Sequence, residues 1–107
     1  MLEGESFSRR YEAFLNSEEA AEKLGLSVET LFFYCQHLNY TGYVFRKDLH
    51  RRYVFIQEDL LLLKVFVNLL ARGITIKRAA KESVKLTEKF GVQEALRLSK
   101  LASGHIK

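Results

Sequence analysis

The chain has 107 residues, 48% of them hydrophobic and 28% charged, which suits one globular domain with its own core and excludes wholesale disorder. Its single cysteine, Cys35, cannot form an internal disulfide, and no apolar run, the four leucines at 60–63 included, is long enough to cross a bilayer. No charged start followed by an apolar stretch resembles a signal peptide, so the sequence reads as soluble and cytoplasmic, with no membrane partner.

Seventeen Lys and Arg against thirteen Asp and Glu give a net charge of +4, and the distribution says more than the sum. Residues 1–25 are net acidic. Residues 46–52 hold Arg46, Lys47, Arg51 and Arg52 against Asp48, with His50 beside them, and residues 72–89 hold Arg72, Lys77, Arg78, Lys81, Lys85 and Lys89 against Glu82 and Glu88. Positive charge gathered into a short loop and a later helix suits a polyanion binder.

In chain order, residues 1–14 form an N-terminal extension in which Phe7, Tyr11 and Phe14 make one short apolar stripe. Asn16, with Glu19 three places on, predicts a capping box at the start of helix one. Ala20, Ala21 and Leu24 give that helix a small-residue inner face, and Gly25 ends it in the left-handed region. Ser27 caps helix two, predicted over residues 28 to about 39, with Val28, Leu31, Cys35 and Leu38 as its buried stripe. Two short helices joined by Gly25-Leu26-Ser27 read as a helix-turn-helix. After Gly42, the alternation Tyr43-Val44-Phe45-Arg46 and the β-branched and aromatic segment Arg52-Tyr53-Val54-Phe55-Ile56 predict a hairpin with a basic tip.

Helix three, predicted over about 58–71, is apolar almost all round, interrupted only by Lys64 and Asn68, and must be buried on more than one side. Thr75 is expected to cap helix four, with Ile76, Ala79, Ala80, Ser83, Thr87 and Phe90 facing inward. After Gly91, Val92, Ala95, Leu96, Ser99 and Leu101 predict a last short helix. The fold class is therefore mainly α, a winged helix-turn-helix over residues 15–90 followed by a C-terminal helix and tail over 91–107. Helices four and five are expected to leave apolar area on helix three uncovered. This predicts a homodimer through helix three and the C-terminal segment, with Leu61, Val65, Leu96 and Leu101 at the interface.

Catalysis finds little support in the sequence. His37, His50 and His105 are scattered over helix, loop and tail, Cys35 falls on a core stripe, and the glycines sit at the ends of helices and turns rather than in a phosphate loop. No cofactor, metal or small-molecule effector is indicated.

The stretch Asn16-Ser-Glu-Glu-Ala-Ala-Glu-Lys-Leu-Gly-Leu-Ser-Val-Glu-Thr-Leu31 resembles the opening of MerR-like winged helix-turn-helix domains. Phe33-Tyr34, the Gly42-Tyr43 turn, Glu58-Asp59-Leu60 and Leu70-Ala-Arg-Gly-Ile-Thr75 continue that resemblance, over about two thirds of the chain. It looks most similar to the plasmid and phage variants of Gram-positive bacteria. The resemblance implies binding of double-stranded DNA by a transcription regulator or a plasmid or phage maintenance factor. The residues that would carry it are Ser27, Glu29, Thr30, Phe33, Tyr34, Gln36 and His37 on helix two and Lys47, His50, Arg51 and Arg52 on the wing.

The sequence also departs from the family. Phe32 stands where an Arg is usual, Phe33 lacks the hydroxyl of the common Tyr, and Tyr53 replaces an Arg in the second wing strand. Helix two thus has no Lys or Arg, and its Thr30, Gln36, His37 and Asn39 can read bases but cannot anchor phosphates. The alternative reading is a protein–protein adaptor that presents Phe32 and Phe33. After the winged core about twenty residues remain, too few for the ligand domain or the long coiled coil of the family's sensors.

Overall fold

The computed structural model describes residues 14–105, with side chains described for residues 14–100. The Phe7–Tyr11 part of the N-terminal apolar stripe and the Leu101 side chain lie outside these. Five helices and one two-stranded hairpin appear among the described residues: α1 (Ser17–Leu24), α2 (Val28–Asn39), β1 (Arg46–Lys47), β2 (Tyr53–Val54), α3 (Gln57–Ala71), α4 (Ile76–Phe90) and α5 (Val92–His105). The arrangement is a winged helix-turn-helix backed by a helical platform.

The helix-turn-helix forms where the capping chemistry demands. The Asn16 side chain accepts from the Glu19 N–H at 2.8 Å, and the Asn16 N–H donates to the Glu19 carboxylate at 2.9 Å, so the capping box is complete. Gly25 closes α1 at φ 72°, a left-handed conformation that costs a glycine little. The Ser27 hydroxyl accepts from the Thr30 N–H and opens α2. Ala20 and Ala21 are buried against Leu31, Cys35 and Leu38, while Val28, at the start of α2, is half-buried. Cys35 is sealed in this core; burial, with the charge of Asp59 adding to it, pushes its thiol up to about 12, so it stays protonated.

The hairpin is shorter than its sequence pattern suggests. Only Arg46↔Val54 and Lys47↔Tyr53 pair as strand residues; on the tip side the Asp48 N–H donates to the Arg52 carbonyl at 2.9 Å within the turn. Phe55 exchanges two hydrogen bonds of 2.8 Å with Leu15, joining the segment before α1 to the root of the wing as an isolated bridge. Phe45 and Phe55 are buried, and Tyr43 and Tyr53 pack edge-on to Phe45 at 4.9 and 5.9 Å. The inward half of the predicted alternation thus forms an aromatic root.

α3 is the axis of the platform. Leu60, Leu61, Leu62, Leu63, Val65, Phe66 and Leu69 are all buried, with α4 and α5 packed along the helix and the head above it. α4 has 15 residues and α5 has 14, with only Gly91 between them, so neither is the short cover that the sequence suggested. This corrects the expected interface. Val65 is 0% exposed within one chain, in the core shared with Ala79, Ala80 and Ala95 of α4 and α5, and Leu61 is 7% exposed beside a groove lined by Leu24 and Lys64. Leu96 is half-buried against the same core. Asn68, an interruption in the apolar run, donates to the Ser99 hydroxyl of α5 at 2.9 Å.

Two further expectations on α4 change. Thr75 occupies the N-cap position but makes no side-chain cap hydrogen bond, and Phe90 is 46% exposed because the helix stops there at Gly91 and presents its end to solvent. Ala79, Ala80 and Ser83 do face inward.

Candidate nucleic-acid interface

α2 presents a crest of Glu29, Phe32, Phe33, Gln36 and Tyr40, exposed residues three or four apart that share one face. The crest holds no cation, so any phosphate contact must come from its flanks.

The first flank is the wing. A groove of about 550 Å³ runs between it and the two helices, lined by Asn16, Ser17 and Glu18 at the start of α1, Val28 and Phe32 of α2, and Lys47, Asp48, Arg51, Arg52 and Tyr53. The wing's shape comes from Asp48. Its carboxylate accepts from the His50 N–H at 2.8 Å and the Arg52 N–H at 2.9 Å, while the Arg51 N–H donates to the Asp48 carbonyl at 3.0 Å. The Arg52 N–H, followed by that of His50 and by the Arg52 charge, holds the Asp48 carboxyl below its ordinary value. Arg51 takes φ 65°, a left-handed conformation rare for a residue with a Cβ. Lys47 lies 5.2 Å from the centre of the Tyr53 ring, and Tyr53 in turn packs on Phe32 and accepts from the Asn39 side chain at 3.2 Å. Lys47, His50, Arg51 and Arg52 are all exposed.

A buried carboxylate anchors the wing to the platform. Asp59, in the first turn of α3 and 0% exposed, accepts from the Ile56 N–H at 2.9 Å and from the Tyr43 hydroxyl, and Arg46 approaches it at 4.0 Å. Burial, then the bond to Asp59 and its charge, raise the Tyr43 phenol well above its ordinary value, so it remains a donor.

The second flank is α4. A groove of about 600 Å³ is lined by His37, Tyr40 and Thr41 at the end of α2 and by Thr75, Lys77, Arg78 and Lys81. The first turn of α4 carries no acid.

The structure places the predicted site residues in several different settings. Glu29, Phe33 and Gln36 are exposed on the crest, and the four wing residues stand beside it. His37 is half-buried between crest and second groove, edge-on to Phe33 at 4.8 Å and to Tyr40 at 6.2 Å. Ser27 and Thr30 bond one another, hydroxyl to hydroxyl at 2.9 Å, at the α2 cap. Tyr34 turns inward instead: it is half-buried and edge-on to Phe66 of α3 at 4.9 Å, a packing role that removes its ring from the crest. Tyr40 and the α4 cations Lys77, Arg78 and Lys81, the latter three noted in sequence only as part of a basic cluster, line the second groove and join the candidate site. The spacing of 77, 78, 81 and 85, opposite the buried Ala79, Ala80 and Ser83, is the signal that places these cations on one outer face.

Among the described residues no group of three or more His, Cys, Asp or Glu is arranged to hold a metal ion, and no helix is long and apolar enough to cross a membrane. Against known families, residues 15–83 match the model of the MerR HTH family regulatory proteins. No curated protein matches the chain.

Proposed function

The chain belongs to the MerR family of helix-turn-helix regulatory proteins, and from that membership we propose that it binds double-stranded DNA with sequence selectivity, as a transcription regulator or a plasmid or phage maintenance factor in the cytoplasm. The observation that carries this reading is the pair of cation-lined grooves on either side of α2. A helix lying in the major groove has a phosphate strand on each side, and cations on both flanks match that arrangement. Lys47, Arg51 and Arg52 serve one strand, Lys77, Arg78 and Lys81 the other. These contacts position the protein without reading sequence. Reading then falls to the crest, where the Gln36 amide can pair with an adenine edge, Glu29 can accept from a cytosine amino group, and Phe32 and Phe33 can touch thymine methyls. His37 and Thr30, partly withdrawn, come second.

Duplex binding measured against salt concentration tests this directly. Affinity falls steeply with salt, and Arg51→Ala with Arg52→Ala lowers the slope by roughly two units, with affinity weakened about equally on all sequences. Lys77→Ala with Arg78→Ala does the same from the other flank. Gln36→Ala instead costs about 1–3 kcal/mol on the preferred site and little elsewhere.

The exposure of Phe32, Phe33 and Tyr40 favours one rival, a protein-binding adaptor. An apolar protein contact responds weakly to salt, so a flat salt dependence would replace the DNA reading with the adaptor.

The same reading includes a homodimer, which presents two heads to a pseudo-palindromic site. With Leu61 and Val65 enclosed, pairing is assigned to the α5 side, around Leu96 and the segment through Leu101. Sedimentation equilibrium at micromolar concentration gives a dimer mass on this proposal; a monomer mass removes it without touching the DNA reading.

A further inference from the structure

The most exposed large hydrophobic residue among those described is Leu49, at 98%. A single exposed leucine is ordinary on a protein surface. Its setting here is not.

Leu49 stands at the apex of the wing turn, the second position of the four residues closed by the Arg51 bond to Asp48, where most residue types fit and nothing in the turn itself calls for leucine. The turn beneath it is fixed by both Asp48 carboxylate bonds and by the Arg51 bond to the Asp48 carbonyl. An apolar side chain is therefore held out on a stiff support, with little backbone order left to be lost on binding. Cations stand on both sides of it in sequence, Lys47 before and Arg51 and Arg52 after, all exposed. A leucine that served only to be solvated gains nothing from this placement. One pushed into a polyanion is guided by its neighbours and buries its own apolar surface.

From this we infer that Leu49 is a wedge that enters the minor groove of duplex DNA and partly unstacks a base step, so that the wing bends its site as well as gripping phosphates. The inference rests on the DNA-binding reading above. Adjacent strands lie about 4.8 Å apart before side chains are added, and the minor groove is about 6 Å wide, so the tip enters and the ribbon does not. Leucine is among the side chains that open base steps in this way, and pyrimidine–purine steps unstack most readily. Leu49 thus supplies a preference for deformable sequence beneath the wing, at positions where the protein makes no base hydrogen bond.

The test uses the full chain, a short duplex recovered by selection from a random pool and labelled at both ends for energy transfer, and an unselected random duplex. Leu49→Ala is expected to reduce the bend seen by energy transfer and to weaken the selected duplex by about tenfold. Random-duplex affinity and the salt slope stay at the wild-type values, since the cations are intact. Leu49→Met, which retains a long apolar side chain, keeps the bend. Circular dichroism confirms that the fold is unchanged, as expected for so exposed a position. An unchanged bend and preference in Leu49→Ala, with salt-sensitive binding intact, would overturn the wedge and leave DNA binding standing. A loss equal on both duplexes would also overturn it. If the wild-type chain bound neither duplex at low salt, the underlying reading would fail and the wedge with it.

Discussion

Eight of the fifteen residues of α3 are buried, whereas none of the four residues of β1 and β2 is. α3 is held by many interchangeable apolar contacts with α4, α5 and the head. Above its aromatic root, the wing is held by a few particular polar groups: Asp48 within its turn, Asp59 at its base, and the Leu15–Phe55 bridge. The difference fits the proposed division of tasks. A platform needs only to stay folded, while a wing that is to grip phosphates must keep its cations outside and still hold one shape. Damage to the platform should unfold everything, and damage to the wing should alter binding while the rest of the molecule persists.

The largest effect is expected from Phe66→Ala. Phe66 is fully buried and packs edge-on to Tyr34, so it joins α3 to α2. Removing the ring should cost about 3–5 kcal/mol, the usual range for a buried phenylalanine, read as a lowered denaturant midpoint. A cost below that range would mean that the head does not depend on the platform, and the contrast would be lost.

Asp59→Ala comes next, because it cuts the connection between the two regions. The Ile56 N–H and the Tyr43 hydroxyl would lose their acceptor, at about 1–3 kcal/mol for a buried donor left unsatisfied. Faster hydrogen exchange at Ile56 and weaker duplex binding should accompany the loss, with exchange in the middle of α3 less affected. Equal acceleration in both places would show that Asp59 supports the whole core rather than the wing.

Arg51→Gly should separate shape from charge. The left-handed conformation costs a residue with a Cβ about 1–2 kcal/mol, and glycine returns roughly half of that gain through its freer unfolded chain, so stability should rise by about 0.5–1 kcal/mol. The missing cation should lower the salt slope of duplex binding by about one unit. A variant both less stable and unchanged in salt slope would deny Arg51 either role.

What could be read in the sequence follows the same division. The α1 and α2 boundaries were legible because caps are local: Asn16 with Glu19, Ser27 and Gly25 each act within a few residues. The burial of α3 was legible from periodicity, but its covering was not. Whether α4 and α5 are long enough to enclose Val65 depends on tertiary packing that no window of residues displays. Tyr34 and Phe33 are adjacent aromatic residues; Tyr34, three after Leu31 and four before Leu38, borders the buried stripe, and Phe66 supplies the partner on α3 that takes up its ring. The wing's cations were visible as a cluster. The α4 cations were visible too, but their place beside α2 depends on how the platform folds back. The Leu15–Phe55 bridge had no signal, since it joins residues forty apart through backbone groups alone.

The smallest predicted effect is on the wing turn in acid. Hydrogen bonds from the Arg52 and His50 amides, with the Arg52 guanidinium 3.5 Å away, keep the Asp48 carboxyl below its ordinary value of 3.8. A depressed folded value means that the turn's contribution is complete above the unfolded value and disappears as pH falls through the folded one. Asp48 lies at the surface, where solvent screens its charge, so the consequence is local loosening of the turn and not acid unfolding. An NMR titration of the Asp48 carboxyl carbon should give a midpoint below the usual aspartate range. The His50 and Arg52 amide resonances should move with it, while those in the middle of α3 stay still. A midpoint at or above the ordinary value would mean that those two amides do not hold the carboxylate in solution, and the stiff support beneath Leu49 would be lost with them.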